Sequence, residues 1–333
     1  MNSFSPNYLL FVFSCFIYVS CTKTTNSISA NTGTNIYVAG NNGTNPVLWK
    51  NGTANMLSSS VGSANQVIVS GNDVYVAGIS PESQNLDPGG PSGQYVYWKN
   101  GIQNNIGGFE FVEFPSSISV GGNNVYYSNS NCWINGARIT LQGQGSGYVQ
   151  STFAVGTDIY FAGSDSVGDA VYWKNGKLNV VAQGYYPTYS SGSDPSAFCI
   201  YTSGNDVYVG GSSIDNTAVY WKNGIATTLK SAISGSYVTS VISIFVSGND
   251  VYASANLIVP THGGVNAPAY WKNGVEYDLP LNGATNGNTS SIFVSGSDVY
   301  VAGWTSSAGA VYWKNGVETI LSSSGQANSI YIQ

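Results

Sequence analysis

The chain has 333 residues, of which 8% are charged, and its 10 Lys and Arg against 16 Asp and Glu leave a formal net charge of −6. That balance excludes a nucleic-acid partner: phosphate backbones are held by basic patches that displace counterions, and six of the ten basic residues recur at one repeat position. With 41 Gly, 24 Tyr and 8 Trp the chain is also not a disordered one, which would be poor in aromatics and rich in charge.

The first element in chain order is an apolar run, Tyr8 to Val19, reading YLLFVFSCFIYV. It is shorter than the roughly 20 residues of a membrane-spanning helix and has the length of a secretory h-region, which predicts a signal peptide over residues 1–20. The tetrapeptide Tyr18-Val19-Ser20-Cys21 resembles a bacterial lipobox. The resemblance implies lipidation at Cys21, a polar tether over residues 21–26 and attachment to the outer membrane on its periplasmic or surface side. No Lys or Arg precedes the apolar run, and Tyr18 stands where that family has Leu. A cleaved signal and a secreted product are therefore the alternative.

From residue 27 onward the sequence repeats. The most regular unit, Ser291 to Leu321, reads SIFVSGSDVYVAG, a short loop, then AVYWKNGVETIL. Its second half recurs around Trp49, Trp98, Trp133, Trp173, Trp221, Trp271 and Trp313. Its first half recurs around Tyr37, Tyr75, Tyr126, Tyr160, Tyr208, Tyr252 and Tyr300. Seven units with a period mostly in the forties, rich in strand formers, predict an all-β fold over residues 27–333: a seven-bladed β-propeller of four-stranded antiparallel blades. In the last unit strand A is Ile292 to Val294, strand B Val299 to Ala302, strand C Val311 to Trp313 and strand D Val317 to Leu321. Strands B and C are almost continuously apolar, as a sheet covered on both faces requires.

The turns carry their own signals. Asn-Gly joins C to D in every unit, from Asn51-Gly52 to Asn315-Gly316, and suits a type I′ hairpin with positive φ at both residues. Gly296 turns A into B and recurs at Gly71, Gly204 and Gly248, and in looser form at Gly33, Gly122 and Gly156. Asp298 opens strand B and Lys314 ends strand C, so antiparallel pairing brings them to one rim, where an ion pair is expected. The Asp recurs at 73, 158, 206 and 250 and the Lys at 50, 99, 174, 222 and 272. The third unit has Asn124 and Ile134 instead, and the first sets Lys50 against Asn35.

The chain ends on Asn328-Ser329-Ile330-Tyr331-Ile332, a strand A with no strand B after it. We expect it to supply the inner strand of the blade begun by Ile36-Tyr37-Val38, because an unclosed ring leaves raw sheet edges. Of the four Cys, Cys15 lies in the signal and Cys21 at the lipobox. Cys132 and Cys199 fall in the third and fifth units, which are not neighbours in a ring, so two buried thiols are expected rather than a disulfide.

In an up-and-down blade the A–B and C–D turns share one rim and the B–C and D–A loops the other. The second rim varies in length and content, and function in repeat folds sits on variable loops held by a regular scaffold. The ligand-binding candidates there are Phe109, Glu110, Phe111 and Glu113 before the third unit, Tyr185, Tyr186 and Tyr189 before the fifth, His262 in the sixth and Trp304 in the seventh. Aromatics beside carboxylates and amides suit a glycan, a peptide or an envelope protein, and the same aromatics also serve as caps on blade cores. The expected function is a non-catalytic binding or scaffold module. The alternative is a glycosidase or lyase using carboxylates or Tyr on that rim. A single His, no nucleophile elbow and no calcium-loop pattern predict neither a metal site nor a cofactor.

The SG-x-D-V-Y-V-A-G and A-V-Y-W-K-N-G repeats resemble those of bacterial propeller lipoproteins from Bacteroidetes-like organisms, over nearly all of residues 27–333. The resemblance implies the architecture and no activity. Kelch and galactose-oxidase-type propellers share the blade number, but most units here lack the paired glycines of Kelch and no copper-ligand set is present.

Overall fold

The computed structural model describes residues 33–81, 93–106, 117–145, 147–184, 194–260 and 265–333. The predicted signal segment and Cys21 lie outside them. Residues Thr34–Gln333 form one compact unit of seven four-stranded sheets, in which every paired strand is antiparallel to its neighbour. Six sheets run in chain order from inner strand A to outer strand D. The exception is the first blade, whose order is Gln326–Ile332, Ile36–Asn42, Asn45–Lys50, Thr53–Met56. The last strand of the chain is thus the inner strand of the first sheet, with Val38 opposite Ile330 and Tyr37 opposite Tyr331. Gly33 consequently has no A–B hairpin to turn, unlike Gly71, Gly122, Gly156, Gly204, Gly248 and Gly296, whose φ values lie between 58° and 60°.

Each blade interface is a separate apolar cluster, and strand register explains its composition. Tyr300 pairs with Lys314 and Val301 with Trp313, so Tyr and Lys emerge on one face and Trp on the other. At every interface the strand-B Tyr of one blade meets the strand-C Trp of the next, from Tyr37 with Trp98 round to Tyr300 with Trp49. All seven Trp are at most 5% exposed. Three of them also tie down the loop arriving from the preceding blade: the indole N–H of Trp173, Trp271 and Trp313 donates to the carbonyls of Gln142, Lys230 and Pro280.

The rim of tight turns is knit by side chains. In all seven Asn-Gly turns the Asn has φ near 50°. Its side chain bridges back to strand B: Asn315 Oδ1 accepts from Val299 N at 2.8 Å and its Nδ2 donates to Asp298 Oδ1 at 2.8 Å. The other oxygen of Asp298 meets Lys314 Nζ at 2.8 Å, and the ammonium sits 5.3 Å from the centre of the Tyr300 ring. Equivalent ion pairs join Asp73 to Lys99, Asp158 to Lys174, Asp206 to Lys222 and Asp250 to Lys272. The Lys ammonium, then the Asn amide, hold each Asp carboxyl below its usual range. Where the Asp is replaced by Asn35 or Asn124 the amide bridge survives without the ion pair. Cys132 and Cys199 are free and buried, and burial pushes both thiols up to about 12.

Candidate functional site

The inner strands leave one edge facing the propeller axis, a row of backbone groups that must find partners. Here they are met by side chains of the neighbouring blade. Ser329 Oγ accepts from Val67 N at 3.2 Å, Ser117 Oγ from Thr152 N at 3.0 Å, Ser243 Oγ from Ile292 N at 3.2 Å and Ser291 Oγ from Ile330 N at 3.3 Å. In the second blade Gln66 takes the Ser position, and its Oε1 accepts from Ile118 N. In the fifth blade the position is Cys199. Five of the seven blade interfaces therefore carry a side-chain hook around the axis, four through a Ser hydroxyl and one through the Gln66 amide.

In six blades strand A carries a β-bulge one residue before the hook position. Ser329 opposes Ala39 and Ala327 opposes Gly40, so Asn328 has no partner. The same slip leaves out Asn65, Gln150, Phe198, Ile242 and Ser290. A bulge re-aims the side chain of its extra residue, and all six of these residues line one cavity of about 510 Å³ on the axis. The strand-B glycines opposite are a steric requirement of the bulge. A Cβ on Gly40, Gly78, Gly163, Gly211 or Gly303 would lie 1.8–2.0 Å from a backbone carbonyl oxygen of strand A. This is the reason for the terminal Gly of the repeated V-A-G.

The cavity lies toward the variable rim and its described walls hold no Asp, Glu, Lys, Arg or His. Its polar groups are side-chain amides and hydroxyls: Asn65, Gln66, Gln150, Asn288, Gln326 and Asn328 among the amides, with Ser and Thr between them. Several amides are partly committed. Gln326 donates to Ser290 Oγ at 3.0 Å, and Asn328 donates to Ala64 O at 2.9 Å. Gln150 has no hydrogen-bond partner among the described residues.

Beyond the hooks a second cavity of about 370 Å³ continues toward the rim of tight turns. It is girdled by Phe153, Tyr201, Phe245, Phe293 and Tyr331, one from each of five successive blades, with ring centres 4.6–4.9 Å apart. Their planes differ by 41–53° from one to the next. Seven sheets divide a full turn into steps of about 51°, so the rings keep one orientation to the axis and stand steeply along it. Ile68 and Ser119 occupy the remaining two blades. Burial raises the phenols of Tyr201 and Tyr331, so both remain protonated donors at neutral pH.

Of the sequence-predicted site residues, Trp304 is the one the structure describes. It is half-buried at the end of strand B in the seventh blade, opposite Asn288. Its indole Nε1 lies 3.2 Å from the side-chain amide of Asn288, a wall residue of the first cavity. Phe109, Glu110, Phe111, Glu113, Tyr185, Tyr186, Tyr189 and His262 lie outside the described residues. The axial residues are what the sequence reading missed. The signal was present as a recurring pentapeptide, SIFVS at 243–247 and 291–295, CIYTS at 199–203 and SIYIQ at 329–333. Its first residue is the hook position, filled by Cys199 in the fifth blade, and its third the girdle.

No protein-family model matches the chain, and no curated protein matches it in sequence. Among solved structures it is similar to apo AztD from Citrobacter koseri, at TM-score 0.39 and 12% identity over 90% of this chain and 97% of that one. A second structure of Citrobacter koseri AztD gives TM-score 0.40 and 11% identity over 90% of this chain and 98% of that one. The seven-bladed assignment stands on the strand pairing itself.

Proposed function

We propose that this chain is an exported binding module whose ligand enters the axial channel from the variable rim and is held there without being chemically altered. The observation that carries the reading is the set of bulges: six blades turn an extra side chain into one uncharged cavity. At about 510 Å³ it lies within the range of roughly 300–1,000 Å³ typical of small-ligand sites. General acid–base catalysis needs a titratable group within hydrogen-bond reach of the reacting atoms, and the described walls of this cavity offer none beyond the thiol of Cys199, which stays protonated. Export is supported by the Tyr8–Val19 run and attachment to the cell envelope by the lipobox-like segment at Cys21. Glycan, peptide and envelope protein stand as the ligand classes.

The test is to fill the cavity. Ser290→Trp places a large side chain at a half-buried bulge position. A ligand found by thermal-shift screening of the mature domain should lose its effect on this variant while the variant's own melt stays cooperative. A ligand that stabilises both proteins equally binds elsewhere, and the axial reading then fails.

A further inference from the structure

We infer that the axial cavity is a saccharide site, taking a short neutral glycan with one sugar ring seated between an amide wall and an apolar wall. This rests on the binding reading above and adds the ligand's chemical class. The bulged residues are not distributed evenly round the axis. Asn328, Asn65 and Gln150 come from the first, second and fourth blades, whereas Phe198 and Ile242 come from the fifth and sixth. A ligand between them meets hydrogen-bonding groups on one side and apolar surface on the other.

Charge narrows the class first. No ionised side chain among the described wall residues would compensate a buried uronate, phosphate or ammonium, and an unpaired charge moved from water into such a site is strongly disfavoured. The unspent groups narrow it further. Asn328 donates through Nδ2 to Ala64 O and, at long range, to Asn41 Oδ1 and keeps its own Oδ1 for an incoming donor, Gln66 keeps Nε2, and Gln150 keeps both ends of its amide. Neighbouring donors and acceptors of this kind match hydroxyls, each of which both donates and accepts. A pyranose combines such a rim of hydroxyls with an apolar C–H face that fits against Phe198.

A peptide has the weaker claim. Extended peptides are captured by adding a strand to a free sheet edge. Here the axis-facing N–H groups of Val67, Ile118, Thr152, Ile292 and Ile330 are already taken by the hooks. The aromatic girdle lines the second cavity below and carries two protonated phenols, Tyr201 and Tyr331.

The experiment uses the mature domain with three probe sets. These are neutral gluco-, manno-, xylo- and N-acetylglucosamine oligomers of about two to four units, oligogalacturonates of the same length, and a mixture of uncharged tetrapeptides. Binding is read by saturation-transfer NMR and calorimetry on wild type, Gln150→Ala, Phe198→Ala and Ser290→Trp. The expected result is a neutral oligosaccharide that binds wild type, binds Gln150→Ala and Phe198→Ala at least about tenfold more weakly, and does not bind Ser290→Trp. Near-wild-type melting of Gln150→Ala and retained binding by Phe198→Tyr guard against a mere folding defect. Tetrapeptides that bind and are blocked by Ser290→Trp would overturn the saccharide assignment, and oligogalacturonates that do so would overturn its restriction to neutral glycans; either result keeps the cavity as the site. Neutral sugars that bind all variants alike would overturn both. Absence of binding by every neutral oligomer at millimolar concentration overturns the saccharide assignment.

Discussion

The hydroxyl hooks around the axis make a quantitative test possible. Ser243, Ser291 and Ser329 each accept from a backbone N–H on the next blade, and the donors Ile292, Ile330 and Val67 are only 1–3% exposed. Replacing one Ser by Ala leaves a buried N–H without its protein partner, a loss of about 1–3 kcal/mol. These serines line the axial cavity of about 510 Å³, which has room and polar groups for water, and this places the expected value near the lower bound, at about 1 kcal/mol for each hook. A chain of this size shifts its melting temperature by about 2 °C per kcal/mol. The triple variant Ser243→Ala, Ser291→Ala, Ser329→Ala is therefore expected to melt about 6 °C below wild type, followed by near-ultraviolet circular dichroism. Native-state hydrogen exchange should speed up selectively at Val67, Ile292 and Ile330. Ser291→Cys, which copies the residue of the fifth blade, should fall between Ser and Ala. A triple variant that melts within about 1 °C of wild type with unchanged exchange at those amides would refute the idea that the hooks secure the inner edges.

Removing residues 328–333 takes away the buried Ile330 and Ile332, worth about 1.5–3 kcal/mol each, and uncovers the strand begun by Ile36. Against a total stability of about 5–15 kcal/mol the melt should drop sharply or disappear, and the peptide Asn328–Gln333 added in trans should partly restore it; an unchanged melt contradicts the closure. Gly303→Ala sets a Cβ about 2.0 Å from Asn288 O, so the bulge must shift; a loss of about 1–3 kcal/mol in denaturant unfolding is expected, and no loss would mean the bulge is not sterically fixed. The Asp carboxyls of the tight-turn rim are held below their usual range, so their contribution is present above the ordinary Asp pKa of about 3.9 and is lost as pH falls below it. Salt should weaken it, and a double-mutant cycle of Asp298→Asn with Lys314→Met should show coupling at pH 7 that declines as the pH is lowered through and below the ordinary Asp range.

Blade number, ring closure and the Asp–Lys pairs were legible because each rests on a residue recurring at fixed offsets. Trp313 and its six equivalents mark strand C, Asn315-Gly316 marks the hairpin, and the orphan Ser329-Ile330-Tyr331 had one place to go. The axial site was not legible in the same way. A bulge inserts a single residue and reverses which face every later side chain takes, so Gln150 and Phe198 read as ordinary strand residues by simple alternation. The clue lay on the partner strand, in glycines such as Gly163 and Gly211 that look like turn residues but stand inside strand B. The fourth member of the rim network, the Asn side chain bridging to strand B, was likewise hidden behind the backbone role of Asn-Gly. Loop composition drew the sequence reading outward to Phe109, Tyr185 and His262, whereas the described cavity is built from the inner strands.

The pairing of Tyr37 with Tyr331 has a bearing on how the molecule is made. The sheet begun by Ile36–Asn42 stays incomplete until Gln326–Ile332 has been made. A product that stops before Gln326 is then an open crescent with two raw margins. Synthesis of Gln326–Ile332 is thereby the step that closes the circle, and copies carrying this strand lose both raw margins.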